Sequence, residues 1–252
     1  MPTPQPTPPK AKKGLIIGII AGVLVLLGGL SWWLAASSQD TYVKGAATYE
    51  QKLKDAFNKY KNSTDVESEV TVLGNTFDAA LEAKPVEPNL LGIPLGAPAS
   101  TKQRVDTITT SFKAMRDGFV DLHGFNDFAS KFLDRLDAIQ RLAVFDYDKT
   151  IEAYNKAAED VLAIKGPAGV DSFKTQTADA LKAIATETQK SKTAYNNLAQ
   201  AEYQAAEAEI AKLKSQISVD TAVDELQKIY RGYYDTLSKD YEATAQALGI
   251  QG

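Results

Sequence analysis

Residues 100–124, STKQRVDTITTSFKAMRDGFVDLHG, decide the fold class of this chain of 252 residues. Ser100 and Gln103 stand in the positions of a capping box, and Gly124 is the expected end of the same helix. Between them, large apolar side chains recur at alternating intervals of three and four: Val105, Ile108, Phe112, Met115, Phe119 and Leu122. This spacing puts all of them on one helical face, so the stretch predicts an amphipathic helix against a core.

The same spacing recurs along most of the remaining chain. It predicts helices over residues 42–60, 66–81, 128–161, 181–217 and 223–248. The weakest of these is the second, because β-branched side chains in VTVLG would also suit a strand. Helices of about 40 residues are about 60 Å long. We therefore expect an all-α fold, an elongated antiparallel helical bundle or coiled-coil-like rod.

A charge-free run, GLIIGIIAGVLVLLGGLSWWLAA, occupies residues 14–36. As a helix it would be about 34 Å long, enough to cross a hydrocarbon layer of about 30 Å. A cleaved signal peptide is the alternative, although its apolar region is usually only about 7–15 residues long. We predict an uncleaved signal anchor, a single transmembrane helix in the bilayer. The residues expected at its membrane interfaces are Lys12, Lys13, Trp32 and Trp33.

The charges around this run predict its orientation. Lysines precede it, whereas no acidic residue occurs before Asp40. Because positive flanks remain on the cytoplasmic side, the proline-rich, disordered tail at 1–13 should be cytoplasmic. Residues 37–252 should then form an extracytoplasmic domain at the cell membrane.

Glycines recur every fourth residue within the predicted span, at Gly14, Gly18 and Gly22. A face without side chains lets two helix backbones approach closely, which is how many transmembrane helices dimerise. Small residues are also common in spanning helices of every kind. A monomeric anchor is therefore the default expectation, and a homodimer through this helix is the alternative.

A proline- and glycine-rich loop at 84–100 contains the sequence PNLLGIPLGAP. Its large aliphatic residues are Leu90, Leu91, Ile93 and Leu95. Leaving such side chains in water forgoes about 1.5–3 kcal/mol each relative to full burial, so we expect something to cover them. The loop is predicted either to rest on the bundle as a lid or to dock a partner.

Composition excludes several classes of function. The chain has no cysteine and one histidine, His123, which is expected at a helix end. Thiol catalysis, cysteine-based metal sites and two-histidine metal sites are therefore not available, and we expect no metal or cofactor. Without the three lysines that precede the predicted span, 25 of the 28 basic residues remain against 32 acidic ones, so the predicted exterior has a formal charge of −7, which argues against nucleic acid as a partner.

The stretch LAVFDYDKT, residues 142–150, resembles the first motif of haloacid dehalogenase phosphatases. That resemblance would make Asp146 the nucleophile and Asp148 the acid and base, with Thr150 behind them. The family delivers these residues from the end of a strand, whereas the flanking sequence here predicts one continuous helix, and Lys149 replaces the usual glycine. We interpret both aspartates as exposed residues of that helix, and we expect no enzymatic activity.

These features together predict an anchored interaction, spacer or assembly module. Its partners would be other membrane or surface proteins. The alternative is a ligand-binding or sensor bundle that holds a small molecule between its helices and acts through a partner protein.

Overall fold

The computed structural model describes the backbone of residues 12–66, 68–90, 93–94, 96–140 and 146–250, and their side chains from residue 36 onward apart from 90–95. Two short strands, β1 (Asn89–Leu90) and β2 (Ile93–Pro94), pair antiparallel in the 84–100 loop. All other regular structure in these ranges is helical, which confirms the all-α class. The helices are α1 (Lys12–Lys61), α2 (Val70–Glu82), α3 (Ala99–Gln140), α4 (Tyr147–Ala163), a 3-10 turn (Ala168–Val170), α5 (Asp171–Asn196), α6 (Gln200–Gln216) and α7 (Val219–Leu248).

The chain divides into two compact units. The first comprises Met1–Lys61 and Thr76–Thr110, and the second comprises Asn62–Asn75 and Ser111–Gly252. The long helix α3 contributes to both.

The first unit has its core between α1, the end of α2 and the start of α3. Its fully or almost fully buried side chains include Tyr49, Leu53, Phe57, Phe77, Val105 and Ile108. The Tyr49 and Thr109 hydroxyl oxygens are 3.0 Å apart, so the one large polar group in this set is hydrogen-bonded. Beside the core, Arg104 donates two hydrogen bonds of 2.9 and 2.7 Å to Glu50, which lowers the pKa of that carboxyl from 4.5 to about 2.

The second unit buries a larger aromatic core. Phe128 and Phe132 on α3 are fully buried, with ring centroids 5.4 Å apart, and Phe173 of α5 lies 4.8 Å from Phe132. Each remaining helix adds apolar side chains to this cluster, including Val161, Leu181, Ile210 and Leu226. One contiguous core therefore holds α3 to α7 together.

The predicted helix end at Gly124 is wrong, because α3 continues through this glycine to Gln140. A glycine inside a helix costs only about 1 kcal/mol relative to alanine. The buried stripe on α3 extends past it through Phe125, Phe128 and Phe132, and this burial outweighs that cost. His123 accordingly lies within α3, with its ring centroid 4.5 Å from that of Phe119, and not at a helix end.

The predicted continuous helix over 128–161 is also wrong, since α3 ends at Gln140 and α4 begins at Tyr147. The aspartates of the 142–150 stretch therefore lie at the start of a helix, with Asp146 as its N-cap. The Asp146 carboxylate accepts hydrogen bonds from the backbone N–H groups of Asp148 and Lys149, at 3.0 and 3.4 Å. The break allows Tyr154 and Val161 of α4 to join the same core cluster as Phe128.

The helix predicted over 181–217 is divided as well. α5 ends at Asn196 and α6 begins at Gln200, so the two form a helical hairpin that buries Ala206 and Ile210. The four-residue spacing of Tyr195, Ala199 and Tyr203 continues across the turn, so periodicity alone does not detect it.

A second break separates α6 from α7. Ser218 is the N-cap of α7, and its hydroxyl accepts a hydrogen bond of 3.2 Å from the backbone N–H of Thr221. A serine in this position satisfies one of the unpaired amides of the first helical turn. The VTVLG segment, by contrast, is helical as predicted, in α2.

Among the described residues, no helix combines the length and the apolar character that crossing a bilayer requires. Residues 14–35 of the predicted span have side chains that lie outside this description, although the backbone there belongs to α1. The signal anchor, its orientation and the elongated form of the exterior stay predictions.

Candidate functional site

The site residues expected from sequence fall largely outside the described side chains. The backbone of α1 includes Gly14, Gly18 and Gly22 as well as the predicted interface residues Lys12, Lys13, Trp32 and Trp33. In the 84–100 loop, the backbones of Leu90 and Ile93 pair in the β1–β2 ladder, whereas Leu91 and Leu95 lie outside the described residues. Whether this loop is a lid or a docking segment therefore stays a prediction.

The turn between α5 and α6 contains a residue whose backbone conformation is unfavourable for its side chain. The backbone N–H of Leu198 donates to the Tyr195 carbonyl at 3.1 Å, and that of Ala199 donates to the Ala194 carbonyl at 2.9 Å. These two bonds form a Schellman motif, which ends a helix by placing one residue in the left-handed conformation. Here that residue is Leu198, with φ of +54°.

Leucine is an unfavourable choice at this position. Its Cβ clashes in the left-handed region, at a cost of about 1–2 kcal/mol, and glycine is the usual occupant. The same chain shows the usual solution at the end of α7, where Gly249 has φ of +68° and the equivalent hydrogen bonds are 3.1 and 2.9 Å. The Leu198 side chain is nevertheless 91% exposed, so no burial within this chain offsets its backbone cost.

Three tyrosine rings lie close to one another beside this turn. Tyr195 has its ring centroid 6.3 Å from those of both Tyr147, at the start of α4, and Tyr203, on α6. Tyr195 is 62% exposed. A hydrogen bond with Tyr147 raises the pKa of the Tyr203 phenol. We call the surface formed by Tyr147, Tyr195, Leu198 and Tyr203 the hairpin tip.

Polar contacts fix the helices that carry the hairpin tip. Lys192 near the end of α5 donates to Asp148 of α4 at 2.6 Å. The hydroxyl of Ser191, which is fully buried, donates to the Glu207 carboxylate of α6 at 2.6 Å. These contacts join α5 to the start of α4 and to the middle of α6.

These contacts also show what the two aspartates of the phosphatase-like motif do in the fold. Asp146 caps α4, and Asp148 pairs with Lys192, so both carboxylates contribute to structure at this end of the unit. Both aspartates are exposed, as predicted, but Asp146 precedes α4 as its N-cap and does not lie within a continuous helix. Within the described ranges, no group of three or more histidine, aspartate or glutamate side chains is arranged to hold a metal ion.

A cavity of about 560 Å³ opens elsewhere in the second unit, between α3, α5 and α7. Apolar residues such as Leu136, Phe173 and Ile229 line it together with the polar residues Gln176 and Glu225. The polar groups already have partners: Gln176 donates to Ser172 at 3.2 Å, and Glu225 accepts from Lys228 at 2.6 Å. Its volume lies within the range of small-molecule sites, about 300–1,000 Å³.

Sequence reasoning missed the hairpin tip because neither glycine nor proline marks the turn. The available signal was the adjacent pair Asn196 and Asn197, since asparagine, like the more frequent glycine, is often found where helices end.

No protein-family model, no curated protein and no solved structure matches this chain.

Proposed function

We propose that this chain is a membrane-anchored, extracytoplasmic interaction or assembly module, an elongated helical bundle without enzymatic activity, whose hairpin tip contacts a protein partner. The observation that carries the proposal is Leu198, an exposed leucine held in a conformation that favours glycine. A strained backbone conformation whose energetic cost is not offset by contacts within the chain is typical of functional positions. The anchor is supported by the charge-free run at 14–36 and by the unbroken backbone of α1.

The chemistry of the tip indicates what its partner would offer. Leu198 would enter an apolar pocket, where full burial is worth about 1.5–3 kcal/mol. The neighbouring phenols of Tyr147, Tyr195 and Tyr203 combine a large apolar area with a hydroxyl that hydrogen-bonds at the edge of a contact. Tyrosines of this kind are enriched among the residues that dominate protein–protein binding energies.

Replacing Leu198 with glycine separates the structural role of this residue from its role in binding. We expect Leu198→Gly to raise the free energy of unfolding by about 1 kcal/mol, since it removes the left-handed penalty and sacrifices no burial. Denaturant titration of the detergent-solubilised full chain measures this change. The matched variant Gly249→Leu introduces the same penalty at the end of α7 and should destabilise by a similar amount.

Binding is tested in intact membranes with a photoreactive amino acid in place of Tyr195. We expect discrete crosslinked products that disappear when Leu198→Gly is added, even though that variant is the more stable protein. A photoreactive residue at the exposed Leu162 of α4 serves as the control position. The proposal fails if position 195 gives no more product than position 162, or if Leu198→Gly leaves the products unchanged.

A ligand-binding or sensor role is the second candidate, and the cavity of about 560 Å³ is the observation that favours it. Its apolar lining residues Leu136, Phe173 and Ile229 would contact an uncharged small molecule, and Gln176 would offer it a hydrogen bond. Such a molecule would raise the melting temperature as its concentration increases, which distinguishes this role from contact through the hairpin tip.

A further inference from the structure

The backbone of α1 gives the height of the first unit above the predicted span. α1 runs unbroken from Lys12 to Lys61, and the predicted span ends within it at Ala36. At about 1.5 Å per residue, Gly45 lies about 14 Å beyond that end. The headgroup region on each side of a bilayer is about 5–7 Å thick. The part of the first unit around Gly45 would therefore lie within about 10 Å of the headgroup surface.

The 84–100 loop leaves the first unit at this height. Near one end of α2, Lys59 of α1 donates a hydrogen bond of 3.1 Å to the Thr76 hydroxyl. Just past the other end, a Cβ added to Gly45 would lie 3.3 Å from Cβ of Pro85. α2 thus runs back along α1 towards the predicted span, and the loop begins where it arrives.

The loop also returns to the unit at this height, since Ser100 at the start of α3 lines a groove together with Val43 of α1. Apolar side chains are exposed at this end. Val43 is 41% exposed, and Val86, directly after Pro85, is 83% exposed. The four large aliphatic residues of the loop follow within 90–95. The most apolar loop of the chain therefore starts and finishes at the end of the unit nearest the predicted span.

We propose that the 84–100 loop inserts into the interface of the bilayer that holds the span, so that lipid covers its aliphatic residues. The inference rests on the proposed function, because it requires the span in the membrane and the first unit outside it. Five residues of extended chain, from Pro85 to Leu90, cover about 17 Å, and the hydrocarbon boundary is about 14 Å from Gly45. Apolar side chains at this boundary bind in proportion to the area they bury.

The charges beside the loop favour apolar contact with lipid over electrostatic attraction. Lys84 pairs with Asp106 at 2.9 Å, and Lys102 pairs with Glu87. Since these charges cancel in pairs, anionic lipids are not needed. We therefore expect insertion into vesicles of zwitterionic phosphatidylcholine, with little change as the salt concentration is raised.

The cysteine-free sequence allows a fluorescent label at one position at a time in the full chain, reconstituted in these vesicles. An environment-sensitive bimane is attached to Leu90→Cys or to Val86→Cys, of which the second keeps all four aliphatic residues. Asn58→Cys is the control, exposed on α1 about 33 Å beyond Ala36. We expect nitroxides on the lipid acyl chains to quench the emission at 90 and at 86 and to leave that at 58 unchanged.

The other outcomes separate the alternatives for this loop. A label at 90 that is shielded from water but not quenched by lipid would show that the loop rests on the bundle. Emission typical of water would leave the loop free for a protein partner. Either result, or equal quenching at 58 and 90, overturns the insertion and leaves the proposed function standing. Chain that does not float with the vesicles contradicts the proposed function, and the insertion with it.

Discussion

Replacing Phe132 with alanine is expected to lower the free energy of unfolding by about 3–5 kcal/mol. Phe132 is fully buried on α3, with its ring centroid 5.4 Å from that of Phe128 and 4.8 Å from that of Phe173. The substitution removes the apolar area of one ring and leaves a cavity that its neighbours fill only in part. Phe132 of α3 packs against Phe173 of α5, so we expect its substitution to destabilise the whole second unit.

Denaturant titration of the full chain in detergent, followed by far-ultraviolet circular dichroism, measures this effect. Leu162→Ala is the matched control, since Leu162 lies on α4 in the same unit but is 41% exposed. Its substitution should change stability by only a fraction of the effect at Phe132. A loss at Phe132 no larger than that at Leu162 would contradict the core described for this unit.

Gly166→Ala should destabilise the chain by about 1–3 kcal/mol, although Gly166 itself lies in an exposed turn. A Cβ at this position would lie 2.7 Å from Cγ2 of Val170 and 3.0 Å from Cδ2 of Phe128. Both neighbours are fully buried, so neither has room to move away. The added methyl therefore forces a shift of the turn or of the core.

Gly232→Ala, in contrast, is expected to stabilise the chain. Gly232 lies within α7, and a Cβ there would meet no atom within 4 Å. Alanine should therefore stabilise this helix by about 0.5–1 kcal/mol, through its better helix propensity. Thermal denaturation of both variants checks the pair. A higher melting temperature for Gly166→Ala would contradict the packing described at that turn, and a lower one for Gly232→Ala would contradict the open space beside α7.

The sequence was informative where one helical face alone determines the structure. The buried positions of α1 and the first half of α3 were predictable from their spacing, because Tyr49, Leu53, Ile108 and Phe112 must all reach a core. The same reasoning identified α2 despite its β-branched residues.

The helix boundaries were not predictable in this way, because tertiary contacts decide them. Gly124 remains helical since the aromatic stripe on both sides of it is buried, and α4 starts where Asp146 can cap it. The turn at Leu198 runs against local preference, since a leucine adopts the conformation of a glycine there. The hairpin tip depends on that exception, so the candidate site was the part that spacing alone was least able to reveal.

The central claim, an anchored module with its helical domain outside the membrane, is tested most directly by the accessibility of single cysteines in the otherwise cysteine-free chain. Thr7→Cys marks the tail, and Thr236→Cys marks an exposed position on α7. A membrane-impermeant maleimide is applied to intact cells and to permeabilised cells. We predict that the cysteine at 236 reacts in intact cells, that the cysteine at 7 reacts only after permeabilisation, and that the chain stays with the membrane after an alkaline wash. Reaction at 236 only after permeabilisation, or release of the chain into the soluble fraction, would contradict the account.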